Sequence, residues 1–391
     1  MAVDRCAVHT ETPKALYIHI PFCHRKCLYC DFNTYTVEGQ PVDDYLRALA
    51  MELGRLTEIY PPARLETIFV GGGTPTVLDP RQMEYFLQTI RRFFPDWSPR
   101  LEFTMEANPG TVDAEKLAVM KQGGVNRLSF GVQAFDNRLL QALGRIHDVD
   151  DVYRSVEEAR KAGIANISID LMFGLPGQTL TLLADSVDQA LSLNLQHYSL
   201  YGLKVEENTP FFRLRQKGML ALPDEDEETE MYLYIIKRLR EAGYVHYEIS
   251  NFALPGCESR HNLTYWRNES YYAAGAGAHG YLYGTRYANI RPVRNYIDAV
   301  RQGLPWAEQI EVSRREAMED FMMVGLRMLG GVKDEDFRRQ FGCSVGDVFG
   351  REIAKLEKRG LLAVTPGGYR LTDQGLLLGN EVFGEFISCT P

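Results

Sequence analysis

The sequence contains no apolar run that approaches the roughly 20 residues a membrane-spanning helix needs, so no span is expected and only peripheral membrane contact is left open. It has no basic excess: 43 Lys+Arg stand against 52 Asp+Glu, a formal net charge of −9. Nucleic-acid binders usually carry a surplus of cations, so nucleic acid is not an expected partner. The first fourteen residues lack an apolar h-region and include Asp4, Arg5, His9 and Glu11, which argues against a secretory signal. The expected location is cytoplasmic, where thiols stay reduced and seven cysteines do not imply a disulfide framework. There are no internal repeats and no low-complexity tracts. With 45% hydrophobic and 24% charged residues, whole-chain disorder is excluded. A length of 391 residues fits two or three domains.

What the chain does have is a cluster. Cys23, Cys27 and Cys30 fall within eight residues, whereas Cys6, Cys257, Cys343 and Cys389 are scattered singly. Residues 15–20 alternate β-branched and aromatic positions, which reads as a short strand ended by Pro21. The cysteines then lie in a loop at the carboxyl end of that strand, where α/β folds place their sites. Three thiolates in one loop can converge on a metal centre. Structural zinc sites and 4Fe-4S clusters usually take four protein ligands, and here the residue two after Cys30 is Phe32. A cluster with three cysteines leaves one iron open to a small molecule. A zinc knuckle completed by His24 or a distant cysteine is the alternative.

Beyond the loop, strand-like and helix-like segments alternate. Strands are expected at residues 67–70, 101–107, 127–131, 166–173 and 196–201. Helices are expected at 43–57, from Asp79 to about 94, 113–122, 136–143, 149–162 and 181–193. Asp79 followed by Pro80 is an N-cap with proline at the first helical position. Six strands alternating with helices argue for a parallel α/β fold, each strand running into a Gly-, Pro- or Asn-rich loop. Residues 203–208 read as a linker, and residues 244–252 as strand-like. The acidic run from Asp224 to Glu230 reads as the solvated first turn of a helix, where carboxylates suit the dipole. From residue 314 the pattern is three helices and a hairpin around Pro366-Gly367-Gly368, an order similar to a winged helix. That end carries no basic surplus, so a lid or interaction role is expected there rather than DNA binding.

The C-x3-C-x2-C loop, with Tyr29 before its last cysteine, resembles the radical S-adenosylmethionine superfamily. The resemblance implies an α/β fold with a partial six-stranded (β/α)6 barrel over residues 1–210, a mixed α/β extension over 211–310 and a winged-helix-like unit over 311–391. It implies a 4Fe-4S cluster on Cys23, Cys27 and Cys30, and S-adenosylmethionine chelated to the open iron. An electron donor would serve that cluster, whose reductive cleavage of S-adenosylmethionine gives a 5′-deoxyadenosyl radical. Further motifs, from Tyr17 to Gln178 and again near residue 260, match the porphyrin group that includes oxygen-independent coproporphyrinogen-III oxidase. In Gly71-Gly72-Gly73-Thr74-Pro75, Gly72, Gly73 and Thr74 match the stretch that meets the S-adenosylmethionine amino group, glycine allowing a close backbone approach. By the same resemblance Glu106 takes the ribose hydroxyls as an ionised acceptor, and Gln133, Arg145 and Asp170 match further contacts. Arg145 is expected to pair with the ligand carboxylate, and Tyr17 matches an aromatic near the cluster. His147 and His197 carry no partner pattern and are expected to be structural.

Two branches of that group remain. The oxidase branch has a fourth cysteine where this chain has Phe32, and a longer N-terminal arm. The haem chaperones of the HemW type combine C-x3-C-x2-C-x-F with His-Asn-x-x-Tyr-Trp, which here is His261-Asn262-Leu263-Thr264-Tyr265-Trp266. The resemblance therefore implies haem binding, with His261 as iron ligand, Asn262 orienting it, and Tyr265 and Trp266 offering flat apolar faces. Cys257 is a candidate second ligand. The expected partners are haem and haem-acceptor proteins. Decarboxylation of coproporphyrinogen III is the alternative, and a binding module with a purely structural cluster is a third reading.

Overall fold

A computed structural model describes residues 11–387. Cys6 and Cys389 lie outside the described residues. Six strands form the spine: β1 (Ala15–Ile20), β2 (Leu65–Gly72), β3 (Trp97–Ala107), β4 (Arg127–Gln133), β5 (Asn166–Phe173) and β6 (His197–Gly202). They pair in sequence order, and every pairing is parallel. Helices Val42–Ile59, Pro80–Phe93, Ala114–Gln122, Asn137–Ala142, Val149–Lys161 and Leu180–Ser192 make the crossovers. Five of these helices begin on a side chain that accepts a backbone N–H, from Asp79, Asp113, Asp136, Asp148 and Thr179. Each such cap contributes about 1 kcal/mol and fixes where strand gives way to helix.

The two-residue period of the strands explains the layers. Ile68, Val70, Phe103, Met105, Leu128, Phe130, Ile167 and Ile169 point outward and are fully buried beneath the helices. The alternate positions face the inside of the curved sheet and are mostly polar: Thr67, Glu102, Thr104, Arg127, Ser129, Ser168, His197 and Ser199, all buried, and the half-buried Asp170. An apolar outer layer therefore holds the sheet together, while its interior is kept for hydrogen bonding.

The sheet reaches further than its six parallel strands, and the strand-like run 244–252 divides into two of the additions. Strands β7 (Val245–Glu248) and β8 (Asn251–Ala253) extend it antiparallel beyond β6, and β9 (Tyr272–Ala274) pairs parallel with β1. The order is β9-β1-β2-β3-β4-β5-β6-β8-β7. Residues 211–310, read from sequence as an extension, thus cover both edges of the parallel sheet. The segment read as a linker also leads into a short helix, Pro210–Gln216, capped by Thr209. A separate sheet joins His279–Leu282, Thr285–Asn289 and Trp306–Glu311. At the C-terminal end, helices Arg314–Gly325, Asp334–Phe341 and Val345–Lys358 accompany a hairpin of Leu362–Thr365 and Gly368–Leu371, with Val332–Lys333 as a third strand. No helix among the described residues is long and apolar enough to cross a membrane.

Candidate functional site: a cysteine loop at the mouth of the barrel

The cysteine loop leaves β1 at Pro21 and is pinned at its middle. Leu28 N–H donates to Leu143 O at 3.0 Å, and Leu28 O accepts from Phe211 N–H at 3.1 Å. The short helix missed in the sequence therefore serves to hold this loop. Cys23, Cys27 and Cys30 are free thiols, each half-buried. Burial pushes the Cys23 thiol up to about 11, and the neighbouring Cys30 and Cys27 push it the same way. Burial likewise raises Cys30. Cys23 and Cys30 thus resist ionisation until a cation supplies the opposing charge. Two donors already point at the sulfurs, Thr74 Oγ1 at 3.5 Å from Cys23 Sγ and Arg145 Nη1 at 3.4 Å from Cys27 Sγ. Hydrogen bonds to thiolate sulfur are a means by which proteins tune iron–sulfur clusters. No group of three or more His, Cys, Asp or Glu among the described residues is arranged to hold one metal ion, and His24 is exposed. A 4Fe-4S cluster has no such requirement, because each cysteine binds its own iron. The donor set fits a cluster better than a zinc knuckle.

The carboxyl ends of β2, β3, β4 and β5 close round this loop. Thr74 Oγ1 accepts from Asn108 Nδ2 at 2.7 Å, and Asn108 Oδ1 accepts from Arg145 Nη2 at 2.5 Å. The chain Cys23–Thr74–Asn108–Arg145–Cys27 thus runs from one cysteine back to another. Arg145 also donates to Gly131 O. The guanidinium is therefore engaged by protein acceptors, rather than standing free for a ligand carboxylate as the sequence implied. Gln133 has a left-handed backbone, φ 71°, beside an irregularity in the β4–β5 pairing. A Cβ on Gly131 would stand 3.0 Å from both Asn108 Oδ1 and Gln133 Nε2, so these side chains fold over that glycine.

The glycine motif is crowded by the protein itself. A Cβ on Gly73 would lie 2.5 Å from Phe22 O, and one on Gly72, at φ +104°, would run into the His19 ring. Glycine is required here to seat the motif on the cysteine loop, before any ligand is considered. Gly72 N–H donates to Glu106 Oε2 at 3.0 Å. Burial, reinforced by Asp170, pushes Glu106 up to about 8. Burial raises Asp170 to about 6, although it accepts from Ser129 Oγ at 3.2 Å. The ionised Glu106 expected from sequence is thus not the form favoured at neutral pH in the free protein. Tyr17 OH bonds His19 Nδ1 at 2.9 Å, and its ring stacks on Phe69, with centroids 6.3 Å apart. Tyr17, Gly72, Gly73, Thr74, Glu106, Gln133 and Asp170 stand on β1 to β5 or the loops that follow them, and Arg145, in the loop after the helix Asn137–Ala142, joins them through Asn108 and Gly131.

His261 stands elsewhere. It lies on the short helix Arg260–Trp266, capped by Ser259, which plugs the opposite end of the barrel. Glu102 accepts the backbone N–H of Arg260 at 3.1 Å and of His261 at 3.0 Å, and faces Arg127 Nη1 at 3.5 Å. The His261 ring is 0% exposed. Its Nδ1 bonds Thr67 Oγ1 at 2.9 Å, its Nε2 bonds Tyr265 OH at 2.8 Å, and it stacks on Phe69. Burial drives it down to about 3, so it is neutral. Both ring nitrogens are occupied, and this arrangement offers none to a haem iron. Asn262 does not orient the ring through any hydrogen bond among the described residues, and Trp266 carries the guanidinium of Arg327 on its face, 4.5 Å from the ring centroid. Cys257 is half-buried and free. His197 is structural, bonded to Ser168 and Tyr247 at 2.8 Å each, and His147 Nε2 bonds Val132 O at 3.1 Å.

Sequence reading missed Asn108, which joins the two halves of the mouth, and Asn33, which ties the cysteine loop to residues 276–291. Asn108 had a signal: it ends β3 as the other site residues end their strands. Asn33 had none, since its partners are more than 240 residues away.

Comparison with known proteins follows the same division. Residues 17–190 match the Radical SAM superfamily, and residues 312–378 match the HemN C-terminal domain. The Heme chaperone HemW of Bacillus subtilis is 48% identical over 375 residues, covering 96% of this chain and 99% of that protein. The Heme chaperone HemW of Escherichia coli is 35% identical over 378 residues, covering 96% and 98%. The structure of coproporphyrinogen III oxidase from Escherichia coli superposes with a TM-score of 0.84 at 24% identity, covering 98% of this chain and 92% of that one, which establishes the shared fold.

Proposed function

We propose that this chain, which belongs to the radical SAM family of the Heme chaperone HemW proteins, binds haem and passes it to acceptor proteins. Cys23, Cys27 and Cys30 would hold a 4Fe-4S cluster and leave one iron for S-adenosylmethionine. When bound, the cluster supplies a one-electron reductant. The chain's own residues do the positioning. Thr74 and Arg145 offset the negative charge gathered on the sulfurs. Glu106, with Oε2 accepting from Gly72 N–H, would hydrogen-bond the ligand hydroxyls. Asp170 below it, and Gln133 and Tyr17 around it, complete the wall of the S-adenosylmethionine site.

The observation that carries this reading is likeness to chaperones over nearly the whole chain, together with Phe32 where the oxidase branch has a cysteine. The test is anaerobic reconstitution of the full chain with iron and sulfide. Haemin titration and transfer to an apo-haemoprotein are then run beside a coproporphyrinogen assay with deoxyadenosine detection. A Soret band that moves to the acceptor, with no protoporphyrinogen formed, is the expected result. Conversion of coproporphyrinogen without haem uptake would contradict it and revive the oxidase. Loss of the fold itself in Cys→Ala variants would favour a structural cluster.

A further inference from the structure

Beside the cysteine loop lies a cavity of about 310 Å³. Small-molecule sites span roughly 300–1,000 Å³, and this one lies at the lower end of that range. Its walls come from Tyr17 and His19 on β1, from residues 31–33 and from the distant residues 277–291. Asn33 fastens them together, its Nδ2 donating to Ala276 O and to Arg291 O at 2.9 Å each. Gly277 permits the closeness: at φ +77°, a Cβ there would come within 2.6 Å of Asn33 Nδ2. The cavity is a built feature rather than a gap between mobile loops.

Its lining sorts by chemistry. Phe32 stands at the rim, 62% exposed, the most exposed aromatic ring among the described residues. Two imidazoles face the cavity, and they differ. His19 is committed, Nδ1 to Tyr17 OH at 2.9 Å and Nε2 to Asn33 O at 3.0 Å. His279 is exposed, and its ring has no hydrogen-bond partner among the described residues. Its backbone is fixed, because His279 pairs with Ala288 in the His279–Leu282 ladder. Arg291 likewise faces the cavity with no carboxylate partner among the described residues. Asp31 is the single carboxylate of the lining.

We infer that this cavity is the haem site, with His279 as the axial ligand, Phe32 against the macrocycle and Arg291 on a propionate. The inference rests on the haem-chaperone reading and replaces His261 within it. A neutral imidazole with a free lone pair is a frequent haem ligand. The lone pair enters an open or water-occupied iron position, a water leaves, and no electron is transferred. An unpaired guanidinium matches a carboxylate in charge and in its two-pronged geometry. Asp31 repels the anionic edge and so sets the sense in which the ring inserts.

The test uses the full reconstituted chain and haemin as probe. His279→Ala is expected to shift the Soret maximum and weaken affinity about tenfold, with added imidazole restoring the band. Arg291→Gln is expected to weaken haemin by a similar factor, and to leave haem dimethyl ester, which lacks the charges, unaffected. Arg291 is an exposed surface residue, so this variant keeps the fold and stands as a readout even if His279→Ala does not. If the wild-type chain binds haemin and both variants bind it with unchanged affinity and spectrum, this site is wrong and the chaperone reading stands. A wild-type chain that takes up no haemin overturns both.

Discussion

The two ends of the barrel hold similar residue types to opposite purposes. From Thr67, beside His261, to Gly72, beside Glu106, β2 climbs five residues, about 16 Å at the usual rise per residue. At the lower end the two central groups find partners inside the protein: His261 has both nitrogens bonded, and Glu102 takes two helix N–H groups. At the mouth the groups are close but incompletely compensated. Three thiols crowd one loop, and Asp170 adds to the burial that raises Glu106. Where the protein itself partners His261 and Glu102, burial makes a plug. Burial with missing partners makes a site, because a ligand or metal can supply what the protein withholds.

Breaking the comparison at the mouth has the largest functional effect. Cys23→Ser, Cys27→Ser or Cys30→Ser should abolish iron–sulfur absorption after reconstitution while moving the unfolding midpoint of the apo-protein very little. At the plug the effect is on stability. Glu102→Ala removes the acceptor of two helix N–H groups and leaves Arg127 buried without its carboxylate, so denaturant unfolding should show a loss of about 3–5 kcal/mol.

The two ends should also respond to pH with opposite signs. Glu106 is raised from 4.5 to about 8 in the folded chain. The native state therefore holds a proton that the unfolded state gives up, and its contribution is lost as pH rises through that window. His261 is lowered from 6.5 to about 3. There the unfolded state takes up the proton, and stability is lost as pH falls below about 6.5. Each slope integrates to a few kcal/mol at most. Glu106→Gln should flatten the alkaline limb of apo-protein stability, and His261→Gln the acid limb. If both variants flatten the same limb, the contrast fails. The smallest effect belongs to Phe32→Ser: an exposed ring should change stability by less than about 0.5 kcal/mol, whatever it does to ligand uptake.

Much of the barrel was legible because its outer layer is periodic. Ala15–Ile20 and Asn166–Phe173 have the bounds read from sequence. The other four spine strands differ only at their ends, where hydrogen bonding rather than hydropathy sets the limits. Strands β7 and β8 were legible as one strand-like run, residues 244–252, but not as two, and β9 was not legible, since three residues carry no period and its partner is remote. Pro210–Gln216, at seven residues, is too short to show a helical stripe. The mouth was legible as a set of strand-end residues, because parallel α/β topology brings such ends together. The setting of His261 was not, because the two side chains that enclose it, Thr67 and Glu102, lie 194 and 159 residues away. A six-residue motif names neighbours along the chain and is silent about those in space.

The central claim is that ligands are held at the mouth and that His261 belongs to the plug. Haemin titration of reconstituted His261→Gln, read beside its unfolding curve, tests this most directly. The account predicts a wild-type Soret maximum and affinity on a protein destabilised by about 1–3 kcal/mol, the cost of leaving buried partners unsatisfied. A variant of unchanged stability that has lost the Soret band would contradict it.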